Sequence, residues 1–273
     1  MRQPVICDEI ILSLNKWKKS IAETQVYVPY LTVRDVNKVG RRHWIYCPRQ
    51  NREVHLLSDG ELGAYKILLW QPSTISVEEQ FALDVDETYE IAVSENILHP
   101  RDWKKYQAHI MSTDFVVKIR LANGSYERIA YTFKYWDQLY RLDENGRVIK
   151  INPRTWQKFN IERIYWLNRG VVYRVITERD TTKPKVWNIN YFELAYDLIV
   201  SNAELIDFGG AFIESWKEDP FAELQVHLNS SAKRIGDTFQ RTQSLFQYTC
   251  LHQMLRINTT RHIRLFRPVE VLF

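Results

Sequence analysis

The sequence predicts an α/β domain followed by a smaller, mainly helical domain, and three observations support this prediction. Residues 54–177 show the patterns of a helix, a strand, a β-hairpin, a second helix and a second strand in chain order. A charged, turn-rich stretch that contains a proline, Glu178 to Lys185, then interrupts the pattern. Helical spacing dominates beyond it. We therefore expect one domain at residues 1–178 and another at residues 186–273.

The composition is that of a folded, aromatic-rich protein without a membrane segment. The 273 residues include nine tryptophans, fifteen tyrosines and only nine glycines. Three widely spaced cysteines, Cys7, Cys47 and Cys250, suit neither a disulfide framework nor a zinc cluster, which fits a reducing compartment. No apolar run reaches membrane-spanning length. We expect a cytoplasmic protein.

The net charge of +4 is mildly basic, so any surface for nucleic acid has to be a local patch. One basic stretch runs from Lys38 to Arg52, and another from Asn229 to Pro268. The positions expected to meet DNA phosphates are Arg41, Arg42, Arg49, Lys104 and Lys105. Solvated basic faces explain the same charges equally well.

The elements before the hairpin follow from local signals. Residues 1–26 have the spacing of a short amphipathic helix, and HWIYC at 43–47 reads as a strand. Ser58 with Glu61 three residues later forms a capping box, which predicts a helix to about Trp70. Val77 to Leu83 reads as a strand, and Asp84 to Ala108 as a polar loop region.

The stretch Met111 to Trp136 predicts a β-hairpin, because two apolar runs flank Asn123-Gly124. A two-residue turn would set Asp114 opposite Phe133 and put Asp114 and Lys134 on opposite faces. A three-residue loop with glycine in the left-handed position is preferred. Its register pairs Val117 with Ile129 and Phe115 with Tyr131. Asp114, Thr132 and Lys134 then share one face of the sheet.

The chain after the hairpin contains one strong helix signal and several weaker ones. Asn152-Pro153 predicts a capped helix to Asn168 that ends at Gly170. The apolar run Val171 to Thr177 is typical of a central strand. Later helices are expected to start at Asn190, at Asp219-Pro220 and at Gly236, and Ile257 to Leu272 alternates like a terminal β-ribbon. Three helices and a β-ribbon suggest a winged-helix-like module.

A candidate metal site is formed by Glu61 on the first predicted helix, by Asp114, and by Lys134 with Thr132 on the hairpin. Phosphodiester hydrolysis uses a divalent cation held by carboxylates, and a nearby lysine steadies the developing charge. Oxygen ligands without Cys or His point to Mg²⁺ or Mn²⁺. Each residue also has an ordinary explanation: Glu61 as a capping partner, Lys134 as a surface lysine, and Asp114 as a strand end.

Several motifs resemble the TnsA family in the same order. These motifs are YVPYLTVRDV (27–36), GRRHWIY (40–46), REVHLLSDGEL (52–62), EEQFAL (78–83), HP (99–100), MSTDFVV (111–117) and ERIYW (162–166). The resemblance covers roughly Tyr27 to Asp180 and is thin beyond it, where LHQMLRI at 251–257 is the main likeness. TnsA proteins are endonuclease subunits of heteromeric cut-and-paste transposases.

The resemblance implies a restriction-endonuclease-like N-terminal domain and a small winged-helix-like C-terminal domain. It places the metal-binding carboxylates on Glu61 and Asp114 and the catalytic lysine on Lys134. It further implies cleavage of the 5′ strands at transposon ends, a TnsB partner that cuts and joins the 3′ strands, and a TnsC regulator contacted by the C-terminal part. Such a protein would be nucleoid-associated when bound to DNA.

The sequence departs from the family at Thr132, where the family usually has glutamine two residues before the lysine. Threonine is shorter, so the backbone carbonyl of Phe133 becomes the expected ligand from this strand. The departure leaves two alternatives open. One is a catalytically silent subunit that bridges TnsB and TnsC, and the other is a winged-helix regulator with a degenerate nuclease domain.

Overall fold

The computed structural model describes residues 2–36 and 40–273 and divides into two compact units. The first unit comprises residues 1–69 and 73–181, and the second comprises residues 70–72 and 182–273. Lys38, which belongs to the first basic stretch, lies outside the described residues. The sequence did not anticipate that residues 70–72 group with the second unit.

The first unit contains five α-helices, one short 3-10 helix at Pro48–Gln50 and eight strands in its described residues. The helices are α1 (Asp8–Thr24), α2 (Asp59–Trp70), α3 (Val85–Ser94), α4 (Trp136–Leu139) and α5 (Pro153–Leu167), with the last residue of α2 in the second unit. The strands are β1 (His43–Cys47), β2 (Arg52–Leu56), β3 (Thr74–Ala82), β4 (Ser112–Arg120), β5 (Tyr126–Phe133), β6 (Tyr140–Leu142), β7 (Val148–Lys150) and β8 (Val172–Ile176).

The central sheet has the order β3-β4-β5-β8 and is mixed, because β5 pairs antiparallel with β4 and parallel with β8. Antiparallel hairpins β1-β2 and β6-β7 form two small sheets. β8 lies at the edge of the central sheet, so the prediction of a central strand is wrong. Its first residue, Val172, is 53% exposed, because the outer side of an edge strand has no neighbouring strand to cover it.

Alternation along the strands divides the apolar residues of the sheet between two faces. Phe115, Val117 and Phe133 pack with α2 and the β1-β2 hairpin on one face. Val116 and Ala130 pack with α3 and α5 on the other. The sheet is therefore a layer between helices, as expected of an α/β domain.

The register of the β4-β5 hairpin confirms the predicted three-residue loop. Phe115 pairs with Tyr131 and Val117 with Ile129. The N–H of Leu121 donates to the carbonyl of Ser125 at 2.9 Å, which leaves residues 122–124 as the loop, and Gly124 has φ +83°. Glycine adopts this left-handed conformation without the steric cost of a Cβ.

One local prediction in this unit is wrong, and another is confirmed. Helix α3 occupies part of the expected polar loop, with Asp84 as its N-cap accepting from the N–H of Glu87 at 3.3 Å. Its charged residues hid an apolar face that includes Ile91. Helix α5 begins as predicted, with Asn152 as its N-cap residue and Pro153 in its first turn. The side chain of Asn152 makes no capping bond, and its amide donates to the carbonyl of Gln138 at 2.7 Å.

The second unit is built from four helices in its described residues. These are α6 (Lys183–Glu193), α7 (Asn202–Glu218), α8 (Leu224–Ile235) and α9 (Phe239–Leu251). Phe192, Phe208, Phe212 and Phe246 are fully buried at its centre. The predicted start at Asn190 is wrong, since this residue lies within α6, whose N-cap is Thr182.

The predicted terminal β-ribbon is also wrong. A single antiparallel bridge joins Ile257 and Val271. Between them, Ile263 and Val269 are buried against the helical core, and Pro268 has no N–H to donate to a ladder. The winged-helix-like arrangement is therefore not confirmed.

None of the helices in the described part of the chain combines the length and the hydropathy needed to cross a membrane.

Candidate active site

Asp114 lies in β4, and its partly buried carboxylate accepts a hydrogen bond from the N–H of Phe133 at 2.7 Å. This bond joins the start of β4 to the end of β5. The observed pairing of β4 with β5 begins at Phe115 and Tyr131, so the predicted common face of Asp114 and Thr132 stays a prediction. Thr132 instead shares a partner with Thr113, because both donate to Oε2 of Glu162. The Asp114 side chain is thus held by a backbone donor rather than exposed at a strand end.

Glu61 reaches the same region from the first turn of α2. Its N–H donates to Oγ of Ser58 at 3.1 Å, and its Oε2 accepts from the N–H of Leu57 at 2.9 Å. The predicted capping box is thus confirmed, with the glutamate reaching one residue further back than usual. The capping bonds fix the position of the Glu61 carboxylate. Glu61 therefore caps the helix and also lies in the same region as Asp114.

Gln80 connects these two carboxylates, and the sequence did not single it out. Its Nε2 donates to Oε2 of Glu61 at 3.2 Å and to Oδ1 of Asp114 at 3.4 Å, while its Oε1 accepts from Oγ of Ser112 at 3.2 Å. The residue is 2% exposed and has φ +49°, a conformation uncommon outside glycine. Its sequence context offers little signal, because Gln80 directly follows Glu78 and Glu79 in the strand.

Glu162 on α5 is a second residue that the sequence reasoning missed. It is 5% exposed, and its Oε2 accepts from Oγ1 of Thr113 at 3.0 Å and from Oγ1 of Thr132 at 2.9 Å. The hydroxyl of Thr132 is therefore committed to a carboxylate. A buried glutamate between the apolar residues of a helix was the signal that could have identified it.

The carboxylates of Glu61, Asp114 and Glu162, here called the acidic cluster, resist ionisation. Burial raises the pKa of Glu61 first, and the charge of Asp114 raises it further. Burial also raises the pKa of Asp114, against the lowering by the Phe133 N–H and by the charge of Lys134. The pKa of Glu162 rises to about 8 through burial and then the charge of Asp114. A nearby cation would therefore favour ionisation of the whole cluster at neutral pH.

The donor set fits a magnesium or manganese ion. Glu61 and Asp114 both direct an oxygen towards the same Nε2 of Gln80, so the two carboxylates face a common point. Hard oxygen donors suit these ions. Within residues 2–36 and 40–273, no group of three or more His, Cys, Asp or Glu side chains is arranged to hold a metal. A third ligand would thus come from elsewhere, and the carbonyl of Phe133 stays the predicted one.

Lys134 follows directly after β5, where its N–H donates to the carbonyl of Ile176 at 3.0 Å. Its side chain is partly buried, and its charge acts on Asp114. The structure therefore brings together all three predicted catalytic residues, Glu61, Asp114 and Lys134.

The predicted DNA-binding residues fall into two groups. Arg42 donates to the carbonyl of Val36 at 2.6 Å and to that of Val33, and Arg49 donates to backbone carbonyls of two other segments. Arg41, Lys104 and Lys105 have exposed side chains. Both groups stay predicted DNA contacts, but the first also has structural partners.

Comparisons with known proteins point to one family. Residues 71–178 match the family model described as TnsA-like endonuclease N terminal, a range that contains Asp114, Lys134 and Glu162 but not Glu61. The chain is also 34% identical over 165 residues to the transposon Tn7 transposition protein TnsA of Escherichia coli. This match covers 60% of the chain and 55% of that relative. The chain thus spans about half the length of the curated relative, and the two matches support its assignment to the TnsA family.

Proposed function

We propose that this chain is the endonuclease subunit of a transposase and that it hydrolyses the 5′ strands at transposon ends with Mg²⁺ or Mn²⁺. The observation that carries the proposal is the pairing of Glu61 and Asp114 across one amide of Gln80, beside Lys134. The match to a TnsA-like endonuclease domain supports the nuclease class.

The side chains have separate tasks in this proposal. Glu61, Asp114 and the carbonyl of Phe133 would hold the ion, which supplies Lewis-acid polarisation of the scissile phosphate and lowers the pKa of a bound water. The Phe133 N–H fixes Asp114, and the capped first turn of α2 fixes Glu61. Lys134 opposes the negative charge that develops on the phosphate.

Glu162 has a supporting task. With a pKa of about 8 it retains a proton over much of the neutral range, so it adds little negative charge next to Asp114. Its bonds from Thr113 and Thr132 tie α5 to the two strands of the hairpin. This keeps the helix in a constant position against the site.

The proposed partners are DNA, a TnsB-type transposase that processes the 3′ strands, and a TnsC-type regulator that contacts the second unit. The test is Asp114→Ala in an assembly reconstituted with the transposase and end DNA. We expect loss of 5′ cleavage while 3′ processing continues. Asp137→Ala is the matched control, since this carboxylate is exposed and outside the acidic cluster. Unchanged 5′ cutting by Asp114→Ala would refute the assignment.

A silent bridging subunit is the second candidate function. Thr132 favours it, because this threonine replaces the glutamine usual in the family and its hydroxyl donates to Glu162. End-bound complexes of the unaltered chain in which only the 3′ strands are cut would support this candidate. Any 5′ cleavage that depends on Asp114 would exclude it.

A further inference from the structure

A line of cations leads away from the acidic cluster along α5. Arg154, Lys158 and Glu162 are spaced four residues apart, so their side chains lie on one face of the helix at intervals of about 6 Å. The bonds of Glu162 to Thr113 and Thr132 orient this face towards the sheet. Lys158 is therefore one turn, and Arg154 two turns, from the cluster.

Electrostatic interactions extend the line at both ends. The pKa of Lys158 is lowered by burial and then by the charges of Arg154 and Lys134. The pKa of Arg154 is lowered by burial and then by the charge of Arg101. Each cation thus has another cation as a close neighbour. We call Lys134, Lys158, Arg154 and Arg101, in this order, the basic row.

The cations of the basic row outnumber the acids that act on them, which are Glu162 beside Lys158 and Asp114 beside Lys134. Among the residues that the structure describes, no ion pair is formed by Arg101, Arg154 or Lys158, and Arg154 donates to the neutral amide of Gln157 at 3.1 Å. Other arginines of the same unit are paired, as in the ion pair of Arg52 with Glu79 at 2.6 Å. Like charges four residues apart destabilise a helix. The row therefore provides a site for a polyanion.

Arg101 is held in place without an acid. Its guanidinium lies 4.4 Å from the ring centre of Trp103 and 4.1 Å from that of Tyr106. Stacking on aromatic rings fixes a cation while its charge stays available. Its Nε is buried without a hydrogen-bond partner, and Trp103 is 79% exposed. The far end of the row is thus a preorganised cation beside an exposed aromatic ring.

We propose that the basic row binds consecutive phosphates of the DNA strand that enters the acidic cluster, an inference that rests on the proposed endonuclease function. A nucleic-acid backbone is a continuous line of negative charges, so a row of several cations suits it better than it suits a single isolated anion. The row also ends at Lys134, where a phosphodiester has to lie for hydrolysis. This assignment differs from the predicted contacts at Arg41, Arg42, Arg49, Lys104 and Lys105.

The test compares two variants of the full chain that lose the same charge. Arg154→Gln/Lys158→Gln removes the middle of the row, and Lys16→Gln/Lys19→Gln removes two exposed lysines of α1. Binding of a labelled 30-bp duplex is followed by fluorescence anisotropy in Ca²⁺ over a salt series. Because each phosphate contact adds about 0.9 to the salt slope, we expect the first variant to lose about 1.8. At 0.1 M salt this corresponds to about 60-fold weaker binding.

A structural role of these residues would give a different result. Removal of the like charges on α5 should leave the thermal midpoint unchanged or raise it, and Lys158→Arg should keep the affinity of the unaltered chain. Equal affinity and equal salt slope for both double variants would overturn the proposal. So would the absence of salt-dependent binding by the unaltered chain at 25 mM salt.

The binding test is separate from the cleavage test. If the α5 variant binds DNA more weakly but the unaltered chain never cuts 5′ strands, the basic row is supported as a DNA-binding site and the proposed endonuclease function is rejected. If the variant binds DNA normally and the unaltered chain does cut 5′ strands, the endonuclease function is supported and the role of the basic row is rejected.

Discussion

Glu162→Gln should change how the stability of this protein depends on pH. The folded-state pKa of Glu162 is about 8, against 4.5 for an ordinary glutamate, because the side chain is 5% exposed and lies near Asp114. The folded state therefore binds a proton that the unfolded state releases. This contribution is fully present below pH 4.5 and is lost as the pH rises through 8.

The magnitude follows from this shift. Between pH 5.5 and 8.5, a group with these two pKa values lowers the free energy of unfolding by about 3 kcal/mol. Glutamine keeps an acceptor for the hydroxyls of Thr113 and Thr132 but cannot ionise. Urea unfolding measures the free energy of unfolding at each pH. We expect the decrease in this free energy from pH 5.5 to pH 8.5 to be about 3 kcal/mol smaller in Glu162→Gln than in the unaltered chain.

The control is Glu144→Gln, which changes an exposed glutamate in a turn. Its free energy of unfolding should follow that of the unaltered chain at both pH values. If Glu162→Gln does the same, Glu162 ionises near pH 4.5 in the folded protein, and the proton-holding role is refuted.

Three further predictions concern the metal pair and its support. Mg²⁺ should bind more tightly as the pH rises, and its binding should release protons, because burial raises the pKa of both Glu61 and Asp114. Calorimetry in buffers of different ionisation enthalpy measures both effects, and an affinity independent of pH would contradict this. Gln80→Leu should lower the thermal midpoint at pH 8, since two carboxylates lose their shared donor. Mg²⁺ should raise the midpoint of this variant by more than it raises that of the unaltered chain. An unchanged midpoint would argue against the bridging role of Gln80. Gly60→Ala places a methyl group against the ring of Phe133 and should lower the free energy of unfolding by about 1–3 kcal/mol. Gly209→Ala is the control, since this glycine has open space around it and the change should not destabilise the protein.

The hairpin shows how far local chemistry reaches in this protein. Asn123-Gly124 and the alternation of the flanking strands predicted the register of Phe115 with Tyr131, and the structure has this register. A register assigns each paired side chain to a face, so the common face of Phe115, Val117 and Tyr131 followed directly. The capping box at Ser58 and Glu61 was equally local and equally predictable.

Errors occurred where long-range packing decides the structure. The apolar run at Val172–Ile176 predicted a central strand, but strand order depends on which elements cover the sheet, and β8 is at its edge. Alternation over residues 257–272 predicted a ribbon, but burial against the helical core replaces strand pairing there. The charged residues of α3 led to the prediction of a loop, but the segment forms a helix because its apolar side chains pack against the core of the domain.

The sequence by itself predicted the α/β class and the hairpin register, because both depend on turns and periodicity within short segments. The choice of Glu61, Asp114 and Lys134 as site residues came from the resemblance to the TnsA family and stays a prediction. Only the tertiary structure decided that Gln80 joins two carboxylates and that Glu162 takes the hydroxyl of Thr132. It alone brought the charges of Lys134 and Arg101 close enough to act on Lys158 and Arg154 of α5. These contacts join segments far apart in the chain, and their free energy comes from burial and from neighbouring charge, which no local pattern encodes.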